Sequence, residues 1–300
     1  MLLSRRSRKR PPDDDLMDII SRKQRIASIT RKLRRENKTI ALVPTMGALH
    51  EGHLELIRRA RSMADEVVVS IFVNPEQFDD SDDLDRYPRD LARDAAMLAD
   101  YDVDHIFAPE ASEMYPEGFS TYVYVEGLSD RLEGASRPGH FRGVATIVAI
   151  LFGIIRPDIA VFGQKDAQQL AVIRRLTRDL GFETEIVSVP TAREASGLAR
   201  SSRNELLSPE QREKASKIYQ SLKLGLEAYQ YGERNGPKIA EMVRQELENE
   251  PEAEIDYVEA VDPETLETIE TIGDRPVLLA VAARFGAVRL IDNLILGEGQ

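Results

Sequence analysis

Four short, mainly apolar runs, at 40–43, 67–73, 103–108 and 159–162, alternate with segments whose apolar residues recur at helical spacing. A strand that is apolar at successive positions has no face to offer water and must be covered on both sides. Such strands alternating with helices form a parallel sheet with helices on both faces. The pattern predicts a Rossmann-like α/β fold, with helices at 16–37, 53–63, 90–99, 143–155 and 167–180 and further strands at 121–125 and 184–189. The segment 143–155 is almost wholly apolar, which places its helix in the interior or at a contact between subunits.

The character changes after Leu207. Ser208-Pro209-Glu210-Gln211 is a capping-box start with proline at the first helical position, predicting a helix to about residue 231. A break at 232–237, a helix to about 248 and strands at 255–261, 277–283 and 288–292 follow. A boundary near Glu205 therefore divides a Rossmann-like domain, 16–205, from a smaller α+β domain, 206–300. Residues 1–15 hold five basic residues, two prolines and an acidic triplet but no apolar stretch of a signal peptide, and are expected to be a disordered extension. With 52 acidic against 40 basic residues the net charge is −12, which argues against a nucleic-acid surface. Any anionic ligand must then be held by a local cluster. The absence of cysteine excludes disulfides and a thiol nucleophile and fits the cytoplasm. No apolar run approaches the roughly 20 residues of a membrane span.

In a parallel sheet ligands sit beyond the carboxyl ends of the strands, and three unusual turns emerge there, at 44–53, 74–78 and 163–166. The first carries His50 and His53 around Gly52 at a helix start, two of only four histidines. Histidines three apart share a helix face, and a helix N-terminus favours an anion. A lone histidine more often caps or packs, whereas this pair points to a phosphate, with imidazole able to carry charge near neutral pH. No third histidine or cysteine lies near enough to support a metal site, and His105 falls in a strand. The second turn carries Gln77, whose amide both donates and accepts and so suits a hydroxyl beside a carboxylate. The third, Gly163-Gln164-Lys165-Asp166, sets a lysine at a helix start with Asp166 in the N-cap position. Gln168 and Gln169 follow it. Arg137, and the Ser201-Ser202-Arg203-Asn204 cluster between the two domains, add donors suited to a triphosphate. Nothing matches a Walker A loop or a Ser-His-Asp triad.

Taken in order, the segments 44–53, 72–78, 87–89, 132–144, 162–170, 197–204, 256–259 and 289–293 resemble the pantoate–β-alanine ligase (pantothenate synthetase) family of the His-x-Gly-His nucleotidylyltransferases, over about residues 17 to 295. The resemblance implies that pantoate attacks the α-phosphorus of ATP, and that β-alanine then displaces AMP from pantoyl adenylate. It implies an ATP site lined by Met46, Gly47, Ala48, Leu49, His50, Glu51, Gly52 and His53, with both histidines at the phosphates and His53 as proton donor. Gly163, Gln164, Lys165 and Asp166 would also bind ATP, Lys165 gripping its phosphates, and Ser201, Ser202 and Arg203 would close over the triphosphate. Gln77 and Gln169 would hold pantoate, Gln77 also near β-alanine, and Arg137 would pair with a carboxylate or phosphate. Mg²⁺ is implied with ATP, and Asp94 is a candidate to hold it. Three positions depart from the family pattern: Arg200 for Met or Leu, Ser196 for an acidic residue, and Ala192 for a larger apolar residue beside the adenine.

Two other readings stay open on the residues. A nucleotidylyltransferase acting on a phosphorylated substrate would need a basic second pocket, where 74–78 offers amides. A non-catalytic nucleotide-binding protein would make the histidine pair dispensable. The apolar 143–155 helix and Tyr122 and Tyr124 in the 121–125 strand suggest a homodimer.

Overall fold

The structure, a computed structural model, describes residues 18–78 and 81–297; the expected extension 1–15 lies outside the described residues. Six strands, β1 (Asp18–Ile20), β2 (Ile40–Thr45), β3 (Glu66–Ile71), β4 (His105–Phe107), β5 (Ile159–Gly163) and β6 (Glu185–Val189), form one sheet in the order β1-β4-β3-β2-β5-β6. Every pairing in it is parallel. The helices are α1 (Lys23–Arg35), α2 (Glu51–Met63), α3 (Ser81–Arg86), α4 (Leu91–Leu98), α5 (Ala111–Met114), α6 (Glu133–Ser136), α7 (His140–Ile155) and α8 (Ala167–Asp179), then α9 (Pro209–Ala215), α10 (Lys217–Gln230) and α11 (Gly236–Glu248).

The apolar runs have the expected physical cause. Ile40, Leu42, Val68, Phe107, Ala160 and Phe162 enter one core with α1, α7 and α8. Their neighbours Ala41, Val43, Val67, Val69, Ile106 and Val161 enter a second core with α2 and α4. Successive strand side chains point to opposite faces, so both faces are dry. A second sheet of three antiparallel strands, β7 (Ala253–Val261), β8 (Val277–Phe285) and β9 (Val288–Leu296), follows α11. Along β8, Val277, Leu279, Val281, Ala283 and Phe285 pack in a third core with α10 and α11. Leu278 and Ala280 instead join the core shared with α7 and α8.

Four local expectations are corrected. The expected 16–37 helix begins only at Lys23, because Ile19 and Ile20 pair with Ile106 and Phe107 as an edge strand. The 121–125 segment is not a strand: its alternation reflects Val123 and Val125 lying on α7, with Val123 N–H donating to Thr146 Oγ1 at 2.9 Å. The helix expected from 208 to 231 breaks at Ser216, whose hydroxyl donates to the Glu213 carbonyl. Helix α3 lies within a stretch read only as loop.

Pro44 does not stop β2, which runs on to Thr45. Thr45 C=O accepts from Phe72 N–H on the β3 side, so by alternation Pro44 faces β5, where pairing has already ended at Leu42 and Ala160. The missing N–H therefore costs the ladder nothing. The strands part there, between β2 and β5, where the connections turn in opposite directions. That crevice is the topological switch point at which ligands bind in such sheets.

Candidate active site in the crevice between β2 and β5

The turn after β2 is set by backbone strain and one carboxylate. Gly47 and Ala48 both have positive φ, +82° and +50°. The carboxylate of Asp94, from α4 and 1% exposed, accepts from the N–H groups of Ala48 (3.0 Å) and Leu49 (2.9 Å). Asp94 therefore holds the histidine loop, each of its two oxygens accepting one backbone amide.

His50 is the N-cap of α2 and His53 lies in its first turn. His50 Nδ1 accepts from Gly52 N–H (3.1 Å), and His53 Nδ1 accepts from His50 N–H (3.3 Å). The rings lie 4.1 Å apart. A neutral imidazole that accepts at Nδ1 carries its proton on Nε2. Burial, then Lys165 and Arg200 against the opposing Asp166, lowers the His50 pKa to about 4. Burial and then His50 lower that of His53 to about 3. Both rings are therefore neutral, with the proton on Nε2.

Across the crevice Asn74, 1% exposed, accepts from Tyr115 Oη–H (2.8 Å) and donates to Gln77 Oε1 (2.9 Å) and to the Gly143 carbonyl (3.1 Å). Gln77 is thus anchored through Oε1, and its side chain lines the crevice. Its own carbonyl accepts from Arg137 Nη2 (3.2 Å) and His140 Nδ1 (2.8 Å). Past β5, Lys165 Nζ lies 3.4 Å from Asp166 Oδ1. Burial opposes the charge of Asp166, but Lys165 first and Arg203 after it hold its carboxyl below the usual range. Asp166 occupies the N-cap position of α8 without capping it, because its carboxylate turns to Lys165.

A cavity of about 230 Å³ brings together Met46, His50, Gly52, His53, Gln77, Arg137, Gly163, Lys165, Asp166, Gln169, Ala192, Arg200, Ser201, Ser202 and Arg203. It opens into a larger one of about 790 Å³, beneath the three-stranded sheet, that also takes in Ala48 and Leu49. Gln169 lines both; Gln168 borders only the larger one and is otherwise buried, tying Glu133 N–H and the carbonyls of Leu128 and Arg131. Three residues expected at the ATP site are not on the lining. Gln164 turns its amide to Asn293 (3.3 Å), Glu51 pairs with Arg58 (2.8 Å) on the surface, and Gly47 serves only the turn. Tyr87 and His140 line both cavities and were not singled out by the sequence, although each lies within a segment carrying the resemblance. His140 is kept neutral: burial and then Arg137 lower its pKa to about 4. Among the described residues no group of three or more His, Asp or Glu is placed to hold a metal ion.

The model of the family described as Pantoate-beta-alanine ligase matches residues 18–295. Pantothenate synthetase of Thermotoga petrophila is 54% identical over 94% of this chain and all of its own length. That of Pelotomaculum thermopropionicum is 53% identical over 91% of this chain and 96% of its own. Among solved structures, pantothenate synthetase from Thermus thermophilus superposes with a TM-score of 0.86 at 47% identity, covering 93% of this chain and 99% of that one. The Francisella tularensis pantoate-beta-alanine ligase, solved with Beta-gamma ATP and Beta-alanine, superposes with a TM-score of 0.77 at 35% identity, covering 95% of this chain and 99% of that one.

Proposed function

The chain belongs to the pantoate–β-alanine ligase family, and from that premise we propose how its own residues carry the reaction. It condenses pantoate with β-alanine at the expense of ATP, through pantoyl adenylate. A pantoate carboxylate oxygen attacks the α-phosphorus and the bond to pyrophosphate breaks. The β-alanine amine then attacks the acyl carbon, and AMP leaves with the oxygen that bridged carbon and phosphorus. No enzyme nucleophile takes part, so catalysis rests on positioning and charge stabilisation.

We assign the triphosphate to the β2–β5 crevice. The Nε2–H groups of His50 and His53 donate to phosphate oxygens, and Lys165 and Arg203 oppose the charge. Ser201 and Ser202 close over it, with Ser202 joined to Tyr87. Gln77 and Gln169 take pantoate from the other wall, Gln77 donating through its NH₂ edge. The observation that carries the assignment is the convergence of two preset Nε2–H donors, a lysine and two amides at the parting of β2 and β5. Mg²⁺ travels with ATP and commonly keeps phosphate and water ligands. The carboxylate present, Asp166, is partnered by Lys165 and fits one ligand at most. We assign the unit 206–300 as a lid on this site. We also infer a homodimer, supported by the exposure of Tyr122 and Tyr124, and a cytoplasmic enzyme, supported by the absence of cysteine.

Purified protein given ATP, Mg²⁺, pantoate and β-alanine should release AMP and pyrophosphate, with ATP–pyrophosphate exchange that depends on pantoate; release of ADP would overturn the adenylate route. Asp94→Ala tests the loop assignment. Freeing two backbone amides should lower kcat about tenfold or more. The Mg²⁺ concentration for half-activation should stay put; a marked rise would return Asp94 to the metal.

A further inference from the structure

Strand β9 reaches the phosphate cluster from outside it. The Nδ2 group of Asn293 donates to the carbonyls of Gln164 (3.1 Å) and Lys165 (2.9 Å), and its Oδ1 accepts from Gln164 Nε2 (3.3 Å). An asparagine amide has two N–H donors, and both are spent on this one turn. Its neighbour Asp292 accepts from Arg193 Nη1 (2.6 Å) and Nη2 (3.0 Å). Arg193 also donates to the Gly197 carbonyl (3.1 Å) and stacks 3.8 Å from the Tyr219 ring centroid. Arg193 pairs with Ala199, and Arg200 N–H donates to the Ala192 carbonyl (2.9 Å), so this short hairpin runs straight into the 200–203 segment. Asp292 and Asn293 are each 4% exposed.

We propose that Asp292 and Asn293 are a positioning pair that holds the two phosphate-gripping segments, the Lys165 turn and the 200–203 segment, at a set separation across the crevice. The two arms come from different loops, separated in the chain by α8 and β6. Adjacent residues of one strand in the C-terminal sheet grip both, which makes that sheet part of the ATP site. Asn293 acts through the backbone of Lys165: with that carbonyl turned to β9, the side chain is sent toward Asp166 and the crevice. Asp292 acts through a two-pronged ion pair, the geometry in which arginine is most specific.

The inference rests on Lys165 and the 201–203 segment binding the ATP phosphates. Asn293→Ala and Asn293→Asp are compared. The aspartate keeps size and shape but sets a carboxylate against two carbonyls, so it should be no better than alanine. Each should raise KM for ATP about tenfold or more while KM for β-alanine moves less than about twofold. A general loss of structure would move both. Arg193→Lys examines the other arm and keeps a charge beside Asp292. Losing the fork, it should raise KM for ATP severalfold, and it answers the question should an Asn293 variant fail to fold. Folded Asn293 variants, or Arg193→Lys, with unchanged KM for ATP overturn the positioning pair. Lys165→Ala, measured alongside, separates the premise: if it too leaves ATP binding unchanged, the phosphate assignment falls instead.

Discussion

Replacing His53 with alanine is expected to slow pantoyl adenylate formation by about 10²–10³-fold, the scale of losing one preorganised donor at developing charge. Pantoate-dependent ATP–pyrophosphate exchange measures it. The side chain also accepts from His50 N–H at the start of α2, and losing that cap costs about 1 kcal/mol, too little to unfold the domain. The variant that decides the role is His53→Gln. A glutamine amide can offer a neutral N–H where the Nε2–H stood, so it should keep more activity than alanine. Equal loss in both would restore a proton-donor role. The pH dependence points the same way. With free-enzyme values near 4 and 3 for His50 and His53, kcat/KM for ATP should show no histidine step near 6.5. Such a step, abolished in His53→Ala, would refute the neutral-donor reading. For stability the sign is set by the unfolded chain, which takes up these protons first as pH falls from 6.5. The contribution of neutral histidines is therefore whole above 6.5 and lost as pH drops toward 3.

Gly143→Ala should be among the most damaging single methyls at the described glycines. A Cβ there would stand 2.0 Å from the Glu76 carbonyl oxygen and 2.8 Å from Gln77 N. Both are backbone atoms of the turn that presents Gln77, so neither can swing aside. The expected cost is about 3 kcal/mol, together with a raised KM for pantoate as the turn is pushed off α7. Gly153→Ala in the same helix is the control. Nothing lies within 4 Å of its Cβ position and the residue is exposed. It should gain about 0.5–1 kcal/mol by helix propensity. Urea unfolding of the two variants compares them directly, and equal effects would mean that the α7 crossing is not close-packed.

Much of this fold was legible because a buried parallel strand leaves a one-dimensional mark. Ile40, Ala41, Leu42 and Val43 are apolar in succession because odd and even residues enter different cores. The same logic misled at 121–125, where period-two alternation lies along a helix rather than in a sheet. At Ile19 and Ile20 a three-residue edge strand was too short to stand out beside the helix that follows. Within the site, the residues that carry their own chemistry were legible: His50, His53, Gln77, Lys165 and Ser201 to Arg203 all reach the same cavity. Orientation was not. Gln164 and Gln169 read alike in sequence, yet one faces Asn293 and the other the crevice. Asp94 read only as a candidate to hold Mg²⁺, and nothing in its spacing showed that it accepts from the Ala48 and Leu49 amides.

The sequence by itself determined the parallel sheet, the edge at which its polar turns gather, the capped start of α9 and the motif set of the ligase family. Each is written in local spacing and residue type, because side-chain period and backbone capping act over a few residues. Only the tertiary structure decided which tautomer the histidines hold, which amide faces the crevice, and that β9, some 130 residues after Lys165, bonds the carbonyl of its turn. Those outcomes depend on hydrogen bonds and burial between segments far apart in the chain, and no local spacing records them.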